Sequence, residues 1–248
     1  MFHLDLVYLD LFEDLLGDSL VSNLFNLLFP PNNPCLEIVS YCLKQLEIEM
    51  EFLPQALTAQ QVYKLLIGGV SPRPIAWVST ISKSGVSNLA PFSFFTVASA
   101  NPPVLCFNPM STDKGLEKDT LTNIREQQEF VINSVSYQDL AVMNQTCHQL
   151  PADEDEFEYA SVEKLASSIV APHRVKQALV SFECRLNQIV DLGQEPMSGH
   201  LVLGDVVAIH VRDDAVTDFK IDSEKLDAIG RMAGNDYSLT RQKVQLNR

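Results

Sequence analysis

The spacing of apolar and polar positions changes sharply along the chain. Up to about residue 49, leucines and phenylalanines crowd between acids, and NLLFPPNNP interrupts them with prolines that no helix carries through. From Leu57 the pattern becomes regular. Thr58 is placed to cap a short helix over 59–66, where apolar residues recur at helical spacing until Gly68 and Gly69 stop it. Residues 75–81 read as a strand, 82–85 as a turn and 86–90 as the returning arm of a hairpin. A short buried strand over 104–108 follows the Pro102-Pro103 stop. The stretch 116–128 reads as a helix capped near Asp119 or Thr120, 129–135 as a strand and 137–146 as a second helix. Val180, Phe182, Cys184 and Leu186 alternate with Ser181, Glu183 and Arg185, the period of a half-buried strand. Residues 201–211 are almost continuously apolar, which predicts a strand covered on both faces. Many strands with only short helices between them predict a mainly β fold, a closed or split β-barrel with short flanking helices.

The break near residue 50 divides the chain into an appendage, 1–49, and a folded domain, 50–248. The appendage holds eight acids against the single base Lys44 and so supplies half of the formal net charge of −14. We expect it to be poorly ordered, or to result from a start assigned upstream of Met50. Its apolar opening carries early acids and no early base, the wrong polarity for a targeting peptide, and its apolar runs are too short to span a membrane. The acidic balance also argues against a nucleic-acid or anionic-membrane surface, because both reward clustered Lys and Arg. Five scattered cysteines without a C-x-x-C pair predict neither a disulfide framework nor a zinc site, and a reducing cytoplasm is the simplest home.

Familiar chemistries are missing. None of the ten glycines falls in G-x-G-x-x-G or in a P-loop, and G-x-S-x-G and H-E-x-x-H are absent. The five histidines lack metal-ligand spacing. The acidic run 153–158 reads as a solvated loop, with metal binding a second choice.

What remains is SNLAPFSFFTVASANPP, residues 87–103, which mixes hydroxyls and an amide with three phenylalanines and a prolyl bend. A flavin mononucleotide needs a wall for its ring, polar groups for its ribityl chain and donors for its phosphate. Asn88, Ser93, Thr96 and Ser99 can hydrogen-bond, main-chain amides near Ala90 can meet ring carbonyls, and Phe92, Phe94 or Phe95 can form the wall. On their own the same residues read first as a barrel strand and bend with core phenylalanines. Lys118, Asp119 and Thr120 at a helix start add anion donors, or form an ordinary cap. Arg73, held between Pro72 and Pro74, presents a guanidinium suited to phosphate. Trp77 and His200 read as structural, with ring contact and donation to a flavin or nicotinamide as alternatives. Arg231 and Tyr237 lie in a C-terminal stretch that either crosses to a partner subunit or stays a surface tail.

Taken together, SPRPIAWVST at 71–80, NLAPFSFF at 88–95, ANPP at 100–103, KDTLTNI at 118–124, EFVINS at 129–134, GHLVLGDVVAIH at 199–210 and IDSEKLDAIGRMAGNDY at 221–237 resemble the flavin reductase-like family with the FMN-binding split-barrel fold. The resemblance covers roughly 55–240. It implies a homodimer with one FMN per subunit, hydride transfer from NADH or NADPH to the flavin, and in many members a monooxygenase partner. Other members are flavin-bearing electron carriers without nicotinamide turnover, and an interaction module without flavin is a third class. The resemblance implies FMN contacts at Thr80, Asn88, Ala90, Pro91, Ser93, Ser99, Lys118, Asp119 and Thr120, with Arg73, Arg231 and Tyr237 as further candidates. No protein acid or base is required for the hydride step, and no catalytic residue is assigned.

Overall fold

The computed structural model describes residues 50–246. The appendage expected over 1–49 lies outside the described residues. A compact unit opens at Leu57.

Its first element is α1 (Ala59–Gly69), capped by Thr58 in a full capping box with Gln61. The glycines do not stop it, since both Gly68 and Gly69 lie inside the helix. The end is set by Arg73 instead, whose Nη1 donates to the carbonyls of Ile67 (2.7 Å) and Val70 (2.6 Å). Those carbonyls would otherwise lack partners at a helix C-terminus.

Seven antiparallel strands follow: β1 (Ala76–Ile81), β2 (Ser87–Phe92), β3 (Phe95–Ala100), β4 (Pro103–Phe107), β5 (Glu129–Asn133) and the long pair formed, after two short strands, by Val180–Asp191 and His200–Val211. The short strands are β6 (Lys164–Leu165) and β7 (Arg174–Val175), so the long ones are β8 and β9. The sheet order is β2-β1-β5-β8-β9-β4-β3. Its two edges, β2 and β3, are joined by only Ser93 and Phe94, so the sheet curls until its edges come near each other. No ladder closes that seam among the described residues, and the result is a split barrel. Pro91 is tolerated because β2 is an edge strand.

The barrel interior packs Ala76, Val78, Phe107, Phe130, Ile132 and Val202 against Leu121 and Ile124 of α2 (Asp119–Gln127). The opposite face of β1 is also covered. Trp77 is fully buried among Leu89, Met143, Phe157 and Val175, and its Nε1 donates to Thr146 Oγ1 (2.9 Å). That second layer includes α3 (Leu140–Gln145), which follows a 3-10 turn where one helix over 137–146 was expected, and α4 (Glu156–Tyr159).

The long strands depart from their sequence patterns. In β8 the polar residues Ser181 and Glu183 are buried, Ser181 donating to Asn133 Oδ1 (2.9 Å) and Glu183 covered by a loop and a neighbouring histidine. Ser168, Ile169 and Val170 donate their N–H groups to Glu183, and His210 pairs with it at 2.6 Å. A bulge between Glu183 and Cys184 resets the alternation. In β9 only one face is closed: Val202 and Gly204 turn inward while Ile209 stays 59% exposed.

Two hairpins complete the unit, β10 (Val216–Thr217) with β11 (Lys220–Ile221), and β12 (Ile229–Arg231) with β13 (Tyr237–Leu239).

Candidate functional site

Five of the sequence candidates, Thr80, Asn88, Lys118, Asp119 and Thr120, meet at the start of α2, but not in the way their side chains suggested. Thr80 on β1, Asn88 on β2 and Thr120 on α2 are 0%, 7% and 1% exposed. Their polar groups answer one another. Asn88 Oδ1 accepts from Thr120 Oγ1 (2.7 Å) and Thr80 Oγ1 (3.2 Å), and Thr80 Oγ1 in turn accepts from Asn123 Nδ2 (3.0 Å). Asn88 Nδ2 donates to Glu156 Oε2 (2.9 Å), which also receives the N–H of Leu89 (3.0 Å). These residues form a buried scaffold that pins the helix start to the β1–β2 hairpin.

Above it, Lys118 is the N-cap of α2 and offers no capping side chain. Leu121 and Thr122 donate their N–H groups back to Lys118 O. The main-chain N–H groups of Asp119 and Thr120 are left without an acceptor among the described residues. A helix start with free N–H groups and a lysine attracts anions. Burial raises the Cys147 thiol, while Arg231 and Lys118 both pull it down, and the Arg231 guanidinium itself donates to Gly234 O (2.5 Å).

The other candidates are spread over both sheet edges and the C-terminal hairpin. Because the N–H of Leu89 points away from β1 to Glu156, alternation along the edge strand turns the main chain of Pro91 outward and that of Ala90 toward Val78 of β1. The amide of Ala90 is therefore engaged in the ladder. Ser93 Oγ accepts from Arg73 Nε (3.3 Å). Ser99 lies on β3 at the other sheet edge, opposite Val104. Of the three phenylalanines, Phe92 and Phe95 pack on the barrel core, and Phe94 sits beside Tyr63 and under the Arg73 guanidinium.

Arg73 does not present itself to an anion. It is 5% exposed, and besides its two contacts with α1 its Nη2 donates to Met232 O (3.0 Å). Four of its five N–H groups are therefore engaged. Its main chain also pairs with Arg231 in both directions. The C-terminal hairpin thus folds back on its own subunit, and Tyr237 packs on the core while its hydroxyl donates to Asn144 Oδ1 (3.3 Å). Arg231 lies over the Tyr237 ring at 4.5 Å. His200 is satisfied at both ring nitrogens, by Asp191 (2.6 Å) and Ser111 (2.8 Å), and serves as a structural residue.

Sequence reasoning missed Asn123 and Glu156. Asn123 is readable in hindsight, three residues after Thr120 on one helical face. Glu156 is not, because nothing in the acidic run separates the one buried carboxyl from its solvated neighbours. That run is correspondingly more than a solvated loop: Asp155 caps α4 and Glu156 enters the interior.

Comparison with known proteins agrees with this architecture. A protein of Aquifex aeolicus is 39% identical over 189 residues, covering 76% of this chain and 94% of the relative. The crystal structure of nitrilotriacetate monooxygenase component B from Bacillus cereus superposes with a TM-score of 0.77 at 33% identity, covering 80% of this chain and 98% of that one. A split-barrel-domain structure from Shewanella frigidimarina, at 22% identity and a TM-score of 0.69 over 81% of this chain and all of that one, shares the fold. The flavin reductase-like domain matches residues 68–224, which hold the whole seven-stranded sheet and the α2 scaffold, and the chain belongs to that family.

Proposed function

We propose that the protein is an FMN-dependent oxidoreductase that draws electrons from NADH or NADPH and works as a homodimer. The observation that carries the reading is the uncapped start of α2, with two free N–H groups and Lys118, set on the scaffold of Thr80, Asn88 and Thr120. This donor set fits a phosphate monoester, and in a chain of net charge −14 it is a local cationic spot. Lys118, the N–H groups of Asp119 and Thr120, and Arg231 would hold the phosphate. Thr80, Asn88 and Thr120 act one step removed, since their side chains are engaged with each other. The outward main chain at Pro91 and Ser93, and the hydroxyl of Ser99 across the seam, are the groups offered to the remainder of the cofactor. When bound, the flavin supplies the redox chemistry, accepting hydride from a reduced nicotinamide. The protein orients it and limits access of water. Component B of a monooxygenase is among the structural relatives, which supports an oxygenase partner as the consumer of reduced flavin.

The test is anaerobic. Protein mixed with FMN should turn yellow, and its absorbance near 450 nm (roughly the oxidised-flavin band) should bleach on addition of NADH or NADPH. A flavoprotein that stays oxidised with both nicotinamides is an electron carrier awaiting a protein donor. Protein that binds no FMN is neither.

A further inference from the structure

Glu156 is a buried carboxyl for which the hydride chemistry has no use. It is 6% exposed, and both hydrogen bonds to its Oε2 come from β2, from the Asn88 amide and the Leu89 main chain. An asparagine side chain has two orientations that differ by exchange of its oxygen and nitrogen. An ionised carboxylate only accepts, so it selects the orientation with Nδ2 toward α4. That leaves Oδ1 for the hydroxyls of Thr80 and Thr120, and Thr120 is the second residue of α2. We propose that Glu156 is a positioning residue of the flavin site, which locks Asn88 through the acceptor Oε2 and thereby sets the start of α2 for the flavin phosphate. This rests on the flavin reading above.

The arrangement has a consequence in protons. Burial raises the carboxyl of Glu156 above its usual range, against the hydrogen bonds from Leu89 and Asn88, and Asp119 of α2 raises it further. The other groups packed on it bring no titrating side chain, since β2 and α3 have none. On its own helix, Asp155 and Glu158 are drawn to Lys164, and His148 meets the Tyr159 ring edge-on. Lys118 stands at the helix start as the nearby cation in sequence order. A phosphate on the Thr120 N–H adds negative charge at the far end of the Glu156–Asn88–Thr120 chain, three hydrogen bonds from Glu156. Binding therefore favours the protonated carboxyl; the proton goes to Oε1, which neither β2 donor uses, so Oε2 still accepts from Asn88 and Leu89 and FMN should bind with uptake of protons.

The experiment is calorimetric titration of FMN into wild type, Glu156→Gln and Glu156→Ala, each in two buffers of different ionisation heat. Glutamine keeps an acceptor for Asn88 and Leu89 but cannot titrate. Glu156→Gln should bind FMN within about twofold of wild type and take up fewer protons, the ionisation of the ligand's own phosphate being common to both. Glu156→Ala should bind about tenfold more weakly, the scale of one lost charge-assisted hydrogen bond, with circular dichroism reporting an intact fold. Equal proton uptake by wild type and Glu156→Gln overturns the proposal. So does unchanged FMN affinity in folded Glu156→Ala. If the alanine variant does not fold, the glutamine variant decides alone. Wild type that binds no FMN overturns the flavin reading itself, a result distinct from either.

Discussion

Glu183 and Glu156 are both taken out of water, and their surroundings push them in opposite directions. For Glu183, burial works against the charge, but three main-chain N–H groups and His210 outweigh it and hold the carboxyl below its usual range. A depressed folded value means stability that is present above the unfolded value of about 4.3 and is lost as pH falls through the lower folded value. Glu183→Ala leaves the donors of Ser168, Ile169 and Val170 facing an empty acceptor site. It should cost about 3 kcal/mol at neutral pH, and the gap to wild type should narrow in acid, as read by urea titration at pH 7 and pH 3. A gap that does not change with pH would mean that packing alone, without the charge, holds the loop. Asn88 is a milder case of the same physics. Asn88→Ala removes an acceptor for two buried hydroxyls, so it should lower thermal stability as well as FMN affinity.

At the scale of elements, α2 carries the testable chemistry. Its presence, its strand neighbour and the lysine at its start are legible in KDTLTNIREQQEFV, because helix periodicity and a cationic N-terminus are local signals, whereas its true start at Asp119, three residues later than the pattern suggests, is not. Long-range pairing is what the sequence conceals. Nothing in SPRP says that the Arg73 guanidinium turns inward to cap α1 and tie down the C-terminal hairpin, and proline on both sides suggested the reverse. Nothing in the alternation of β8 announces that a loop arrives to satisfy Glu183. If the free N–H groups and Lys118 bind phosphate, Lys118→Gln should weaken FMN several-fold and leave riboflavin, which lacks the phosphate, unaffected. Equal loss for both ligands would place Lys118 away from the phosphate. Arg73→Lys tests the structural reading of the guanidinium. One ammonium cannot reach carbonyls on α1 and beyond β12 together, so the variant should lose about 2 kcal/mol of stability, with the FMN-to-riboflavin preference kept.

For the whole molecule, the β pattern foretold the barrel because its strands are numerous and only short helices lie between them, and the seam at Ser93-Phe94 follows from β2 and β3 being consecutive yet at opposite edges. Charge is distributed less evenly than the fold. Residues 1–49 contribute half of the net −14, whereas the family match and every strand of the sheet lie beyond them. A fragment of residues 50–248 should therefore keep its melting temperature within a few degrees and its FMN affinity at high salt. At low salt the two forms should part. The full chain carries twice the net negative charge of the fragment, and repulsion of an anionic ligand slows encounter unless ions screen it over roughly 10 Å at 0.1 M. Stopped-flow quenching of FMN fluorescence should show faster association with the fragment at about 10 mM salt and equal rates near 0.5 M. Equal rates at both salt levels would mean that the charge of residues 1–49 does not act on the site, and a fragment that fails to fold would make those residues part of the domain.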